Sequence, residues 1–568
     1  MFNKLISRLQ DKKKASGHPL ASDAGLNALM AGIPESDPRR LLFDIDEWLA
    51  GMEATVQEIG PTLALRALAR LDQFSRPGAR HLLSRYLSIG EREYLTDSAW
   101  SSLETHAEHQ FRCYRSFLTE SMELATDDDR VRMARCAVRA LMAWTLRKKL
   151  QHFRYRTPAA ELWQDAHELL RLLGRLGLMR TRVAPYRNEE QTTPLGEYLI
   201  GLYLELAPIG NLVPQQVEFV ENILRNCDGM ELNPQPNEKS THSIDLSVAK
   251  GPQRLKPGEP AVKGRHFCSV LKLRGSLMGL AAQLKKTEGT PLWLGQLPAS
   301  RKQIESAIPI LMTYWAPAPP KRGKDRTGKK SELRVMLGFG LARRMIAAAH
   351  FARMGRSFEY RGNDFERITR QFDETRFGTV AVKDEAAGSA AGVPAAAEPV
   401  SPMEILRRLE TAGDQAQMER WTQVDSSATG IGVLVPAVLP RHRIGLLICF
   451  READGLDWRM GLIRRIGRDA ANRPGIGIET LAWPSLSALA KPIVEETAWT
   501  GTVDGGGHGW SDAIIVHRDG RELILPANTF VAGMDVDVRS EAGLWRLRFE
   551  SLLDRGPDYD RIEFTRIS

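Results

Sequence analysis

From about residue 40 to residue 230 apolar side chains recur every three or four positions, the spacing that gathers them on one face of a helix. The segment VRMARCAVRALMAWTLRKKL shows it most clearly. Asp127, Asp128 and Asp129 precede it and basic residues close it, a charge order that complements the helix dipole. Thr157-Pro158 and Thr193-Pro194 read as an N-cap followed by a first-turn proline, opening AAELWQDAHELLRLLGRLGLM and LGEYLIGLYLELA. No fixed period runs through this half, which argues against a repeat array. An irregular helical bundle is expected over 41–235, after a flexible N-terminal segment at 1–40.

The pattern then changes. ELNPQPNEKSTHS and KGPQRLKPGEP are crowded with Asn, Pro, Lys and Gly, and helical spacing returns over 270–312. Residues 236–316 therefore read as a mixed α/β region. APAPPKRGKDRTGKK leads into SELRVMLGFG, which alternates like a strand, and then into the helical LARRMIAAAHFARM. This predicts a basic loop, a strand and a helical insertion over 317–378. The Ala/Gly/Pro/Glu run within 379–403 lacks aromatics and cannot bury enough surface to offset its ordering entropy, so it reads as a linker. From Trp421 onward nearly every segment alternates with period two and is punctuated by glycine: GIGVLVPA, GLLICF, WRMGLIRRIG, GIGIETL, AIIVHRD, ELILPA. Such strands predict a small antiparallel barrel over 404–500 and further strands over 501–568. The fold class is α+β and multidomain, with a mostly helical N-terminal half.

Composition narrows this little. The 568 residues are 43% hydrophobic and 26% charged, ordinary for a globular chain of several domains. A net charge of +8 suits an anionic partner without selecting one. Five scattered cysteines with no CxxC pair fit a reducing compartment and argue against a disulfide framework or a structural zinc. Cys113 and Cys136 fall in helical stretches and read as small buried groups. No uncharged apolar run reaches about 18 residues, so a cytoplasmic location is expected. The basic start MFNKLISRLQDKKK reads as a frayed terminus.

The chemistry concentrates in WTQVDSSATGIGV, where Asp425, Ser427 and Gly430 form D-x-S-x-x-G at a strand entrance. Downstream come Arg443-Ile-Gly445-Leu-Leu-Ile, Trp458-Arg-Met-Gly461-Leu-Ile-Arg464-Arg465 and Gly475-Ile-Gly477-Ile-Glu479. Over roughly 417–485 this resembles the PilZ domain, both in its second signature and in its succession of barrel strands. That family also carries an upstream R-x-x-x-R, matched best by Arg322-Gly-Lys-Asp-Arg326 just before SELRVMLGFG. The family's order of arginines, strand and D-x-S-x-x-G is kept. The spacing is longer, about a hundred residues, and an insertion of that length costs little closure entropy.

The resemblance implies a receptor for cyclic di-GMP with no catalytic residues, cofactor or metal. Arg322 and Arg326 would clamp phosphates and guanine edges. Asp425 would accept from guanine N–H groups, Ser427 would donate to phosphate or base, and Gly430 would leave room for the ligand. The helical half would then bind a protein partner. Two other readings stand beside it: a PilZ-like adaptor that binds no nucleotide, and a basic nucleic-acid-binding protein. The cluster Lys321, Arg322, Lys324, Arg326, Lys329, Lys330 lacks the interleaved aromatics or recognition helix that nucleic acid would ask for.

Other signals are ordinary. Arg66/Arg70 and Arg464/Arg468 repeat the arginine spacing and read as helix-surface and strand-edge charges. His106 and His109 share a helical face with no third ligand nearby, so a polar face is expected. His350, His442, His508 and His517 read as isolated surface or loop residues. The Gly505–Gly509 loop has no Walker lysine, and Gly338/Gly340 no third glycine. No G-x-S-x-G, HExxH, or cyclic di-GMP synthase or hydrolase motif occurs.

Overall fold

Helix α6 (Asp127–Phe153) organises the N-terminal part of the chain, because its residues are buried all around its circumference rather than on one stripe. Thr126 caps it: its Oγ1 accepts from Asp129 N–H at 3.2 Å and Asp129 accepts from Thr126 N–H at 3.1 Å. In the computed structural model the described residues are 17–88, 97–120, 126–255, 264–287, 291–294, 297–318, 327–353, 418–468, 472–493, 510–517, 520–540 and 543–567. The chain divides into two compact units, 1–321 and 322–568.

In the first unit α1 (Asp23–Ala31), α2 (Pro38–Ala50), α3 (Met52–Ile59), α4 (Pro61–Ser88) and α5 (Asp97–Glu120) precede α6, and α7 (Ala160–Arg175), α8 (Pro194–Leu204) and α9 (Pro214–Asn226) follow it. A small antiparallel sheet, β2-β1-β3, comes next, formed by β1 (His242–Asp245), β2 (Gln253–Arg254) and β3 (Arg265–Cys268). Helices α10 (Leu271–Lys286) and α11 (Arg301–Tyr314) complete the unit. One large core runs through it from Leu20 to Trp315, with a small satellite at Ala134, Val138 and Val183. The region 236–316 thus packs with the bundle.

Three sequence expectations change here. Residues 1–40 are not flexible throughout, since Leu20 and Leu26 are fully buried around α1. Thr193 caps α8 as expected, but α7 begins at Ala160 with no side-chain cap, so Thr157-Pro158 does not start it. His106, expected on a polar face, is 2% exposed, because Asp46, Ser75 and Gln110 give its ring nitrogens partners inside the bundle. Cys113 and Cys136 are buried as expected, and burial pushes both thiols up to about 12.

The core carries buried charge. Asp72 is fully buried and accepts from Tyr114 Oη at 2.6 Å, Tyr186 Oη at 3.0 Å, Gln110 Nε2 at 2.8 Å and Arg139 at 3.1 Å. Arg139 also donates to Pro185 O at 2.8 Å and lies over the Tyr186 ring. Lys148, fully buried, reaches Glu205 at 3.1 Å and sits between the rings of Trp144 and Trp163.

The second unit holds two closed six-stranded antiparallel barrels. The first uses β4 (Thr327–Leu337), β5 (Glu419–Ser427), β6 (Gly430–Leu434), β7 (Leu447–Glu452), β8 (Arg459–Arg468) and β9 (Pro474–Thr480), in the order β4-β5-β6-β9-β8-β7. The second uses β10 (Leu486–Pro492), β11 (Ser511–Ile515), β12 (Glu522–Pro526), β13 (Asp535–Ser540), β14 (Gly543–Arg555) and β15 (Tyr559–Arg566), in the order β10-β11-β12-β15-β14-β13. Both run first, second, third, sixth, fifth, fourth, so the unit repeats one topology. The strands expected after residue 501 are therefore a barrel of their own, and Leu486–Pro492 belongs to it. Alternation marks a strand but not its partner, and pairing decides this.

The expected helical insertion appears as α12 (Phe339–Arg353), which follows β4 directly. Its Phe339, Met345 and Ile346 pack with Leu447, Met460 and Leu462 of the first barrel and with Ile514 and Ile524 of the second. Asp558 of the second barrel accepts the Phe339 N–H at the start of α12. The 379–403 linker and the Gly505–Gly509 loop lie outside the described residues.

Asp72→Ala should destabilise the protein by about 3–5 kcal/mol, because Arg139 is then left buried without its counter-charge. Urea unfolding followed by circular dichroism measures this, and Asp72→Leu combined with Arg139→Met should recover more than half of the loss.

Candidate functional site

Directly cross-paired residues of antiparallel strands point to the same face, so the register of the first barrel maps its outer surface. Gln423, Val433, Ile476 and Ile466 form one inward row, and all are buried. The outward rows alternate with it. One is Thr422–Leu434–Gly475–Gly467, and the next is Asp425–Gly432–Gly477–Arg465. Bulges between Gln423 and Asp425 and between Ile463 and Arg465 put Asp425 and Arg465 in this second row. Ser427, Gly430 and Glu479 form the third.

Asp425, Ser427 and Gly430 are thus together at the outer end of the β5–β6 hairpin. Ser427 Oγ donates to Gly430 O at 3.1 Å and fixes the turn, leaving its oxygen lone pairs to accept. Gly430 also has a packing reason of its own. A Cβ there would stand 2.5 Å from Ile478 O, so the close approach is that of strand β9.

Arg322 and Arg326 lie outside the described residues. Strand β4 starts at Thr327, the residue after Arg326, and Thr327 pairs with Ser426 while Gly328 pairs with Asp425. Thr327 Oγ1 and Ser426 Oγ are 3.4 Å apart. Strand pairing therefore joins the end of the basic segment to the D-x-S-x-x-G strand across the long sequence gap.

The other end of β5 is held by a cluster that sequence reasoning missed. Glu419 accepts from Trp421 Nε1 at 2.7 Å, Arg441 Nε at 2.6 Å and His442 Nε2 at 2.8 Å. Leu439 N–H donates to His442 Nδ1 at 3.1 Å, so the ring proton resides on Nε2. His442 is 1% exposed and not the surface residue expected, because Trp421 and Glu419 enclose it. The Arg-His-Arg run after β6 was the only available hint. Burial pushes the Glu419 carboxyl up, but hydrogen bonds from His442, Trp421 and Arg441 outweigh it and hold the group at about 2.

Arg464 is no simple strand-edge charge either. It bridges Glu479 and Asp554 at 2.6 Å each, tying the first barrel to the second. Arg561 adds to the corner, 3.8 Å from Glu479 and 2.7 Å from Glu522.

Among the described residues no cluster of three or more metal-binding side chains occurs, and no helix is long and apolar enough to cross a membrane. In the helical unit a cleft of about 350 Å³ opens between α9 and α10, lined by Ile223, Cys227, Leu277, Leu280 and Trp293. Among the described residues its lining carries no charged side chain.

Residues 24–233, which span α1 to α9, match the family described as "Cyclic-di-GMP receptor FimW, N-terminal domain". Over that helical stretch the chain is similar to a cyclic-di-GMP receptor family. No curated protein and no solved structure matches the chain.

Two outcomes follow for the barrel itself. Gly430→Ala should cost about 1–3 kcal/mol of stability without any ligand present, because the added methyl presses on the β9 backbone; thermal unfolding of the ligand-free protein measures it. Glu419, whose value falls from 4.5 to about 2 on folding, contributes stability above pH 4.5 that is lost as the pH falls through about 2. After allowance for solvent screening this amounts to about 1–2 kcal/mol, and Glu419→Gln should flatten the acid limb of a stability-versus-pH curve in that window.

Proposed function

We propose that the protein is a cyclic di-GMP receptor whose first barrel is a PilZ-like domain and whose helical unit engages a protein partner. The observation that carries this reading is the β4–β5 register, which sets the residue after Arg326 opposite Ser426 and beside Asp425. Of the order arginine segment, strand, D-x-S-x-x-G strand, the two strands are thus neighbours in space as well as along the chain. The match of residues 24–233 to a cyclic-di-GMP receptor family supports the same ligand independently, since it covers none of the barrel.

The chemistry is that of binding. Arg322 and Arg326 supply fixed positive charge and planar donors for two phosphates and for base edges. Asp425 would accept from guanine N1–H and N2–H, and Ser427, whose hydrogen goes to Gly430 O, would accept at the turn. No nucleophile or acid–base pair is required, and a catalytic role is not part of the proposal.

The chain position of the arginines suggests how binding is passed on. The helical unit ends at Lys321 and the barrel unit begins at Arg322, so the clamp lies in the segment that joins them. Ligand capture would restrict that segment and shift the populations available to the two units.

Calorimetry on the full chain tests the proposal. Wild-type protein should bind cyclic di-GMP with micromolar affinity or better. Asp425→Ala and the pair Arg322→Ala/Arg326→Ala should each weaken binding by at least about tenfold, as expected for loss of charged hydrogen bonds worth about 1.5–3 kcal/mol. A folded wild type that gives no heat would leave the adaptor reading in its place, and a strongly salt-dependent shift with DNA or RNA would favour the nucleic-acid reading.

A further inference from the structure

In the helical unit two acid-free stretches of chain pack against each other. No Asp or Glu occurs between Asp129 and Glu161, nor between Glu168 and Glu189. The first stretch holds most of α6, and the second holds the last turns of α7 with the loop that follows. Three α6 arginines fasten that loop along the helix. Arg130 Nη2 donates to Gly177 O at 3.0 Å, Arg135 Nε to Ala184 O at 3.2 Å and Arg139 Nε to Pro185 O at 2.8 Å. Val183 packs on Ala134 and Val138 between these anchors. Arg130 and Arg139 are about 14 Å apart along the helix, and the loop from Gly177 to Pro185 is anchored at both ends over that length.

The result is a face of arginines without counter-charge. Arg135, Arg175, Arg180 and Arg182 are exposed and Arg130 is half-buried, and among the described residues none of the five meets a carboxylate. Other arginines of the unit are matched. Arg76 and Arg80 share Glu189, Arg115 meets Asp165 and Glu168, and Arg225 meets Glu197 and Glu221. The bonds to the loop use one nitrogen each of Arg130 and Arg135 and leave two for another acceptor. Side chains already held in this way lose less entropy on capturing an anion. Like charges gathered on one face also repel each other, and a counter-charged partner relieves that repulsion.

We infer that this face is the surface on which the helical unit docks a carboxylate-rich segment of a protein partner. All five cations are arginine, whose planar fork binds a carboxylate in two parallel hydrogen bonds. A bilayer or a single-stranded nucleic acid would use apolar or aromatic side chains that insert or stack. Among the described residues 126–190 the one exposed large apolar side chain is Val131, at 38%. Asp127 and Asp128, exposed in the first turn of α6, close one end of the face. A continuous duplex backbone meets like charge there, whereas a short acidic segment ends before it. The inference rests on the reading that the helical unit engages a protein partner, and it adds the chemistry of that partner.

The test is fluorescence anisotropy of the full chain with a labelled Glu-rich peptide, beside phosphatidylglycerol vesicles and a labelled DNA duplex. Wild type is compared with Arg180→Glu/Arg182→Glu and with Lys285→Glu/Lys286→Glu, which makes the same charge change in the last turn of α10. Circular dichroism melting checks that each variant is folded. Wild type should bind the peptide with an affinity that falls as salt rises. The arginine pair should weaken binding by about tenfold or more, and the lysine pair should stay within about twofold of wild type. Equal losses in the two pairs would reduce the effect to net charge, and no peptide binding by wild type would remove it; either result overturns the inference. Vesicles or duplex bound more tightly than the peptide, and lost in the same arginine variant, would assign the face to phosphate and overturn it as well. Calorimetry with cyclic di-GMP on the same proteins keeps the two readings apart. Nucleotide binding without peptide binding leaves the receptor reading standing, and peptide binding without nucleotide binding removes the receptor reading alone.

Discussion

The first barrel depends on strand β4 finding its two partners. Thr327–Leu337 pairs with β5 on one side and β7 on the other, and without it the first barrel cannot close. An open barrel would leave two rows of unpaired backbone groups, each costly to bury and prone to pair elsewhere. The residues paired with β4 lie 84–99 positions further along the chain in β5 and 111–119 in β7, separations whose closure entropy grows only slowly with length. The ordered pairs that reward it run from Thr327 to Leu337.

The same strand links three otherwise separate features. Its first residue follows the basic segment and lies beside the Asp425 strand. Its last residue leads through Gly338 into α12, whose first N–H is accepted by Asp558 of the second barrel. Helix α12 in turn shares one apolar cluster with both barrels, so β4 and α12 form a continuous path from the first barrel to the second. The Arg464–Glu479–Arg561 corner makes a second connection, and Glu479 is the cross-strand partner of Gly430. The two barrels are therefore joined by both an apolar and an ionic contact.

The helical unit is held together on another principle. Its core includes Asp72, Arg139, Lys148 and Glu197, each satisfied by a counter-charge or several hydrogen bonds. Such groups gain little over an apolar core of equal volume, but any one left alone is severely penalised, so they favour a single packing of the helices. A uniform apolar bundle would tolerate sliding. This one does not.

Periodicity alone determined the α+β division, most helix positions and the existence of many short strands, because a period of 3.6 or 2 is a property of local backbone geometry. The D-x-S-x-x-G turn was legible for the same reason: its residues are neighbours in sequence, and the Ser427–Gly430 hydrogen bond is local. Partnership was not legible. Which strands close which barrel, what a side chain at Gly430 would meet, and how Glu419 encloses His442 all depend on cross-strand register, which joins residues from 6 to 119 positions apart. Alternation fixes which face a residue occupies, but only the tertiary pairing decides what stands beside it.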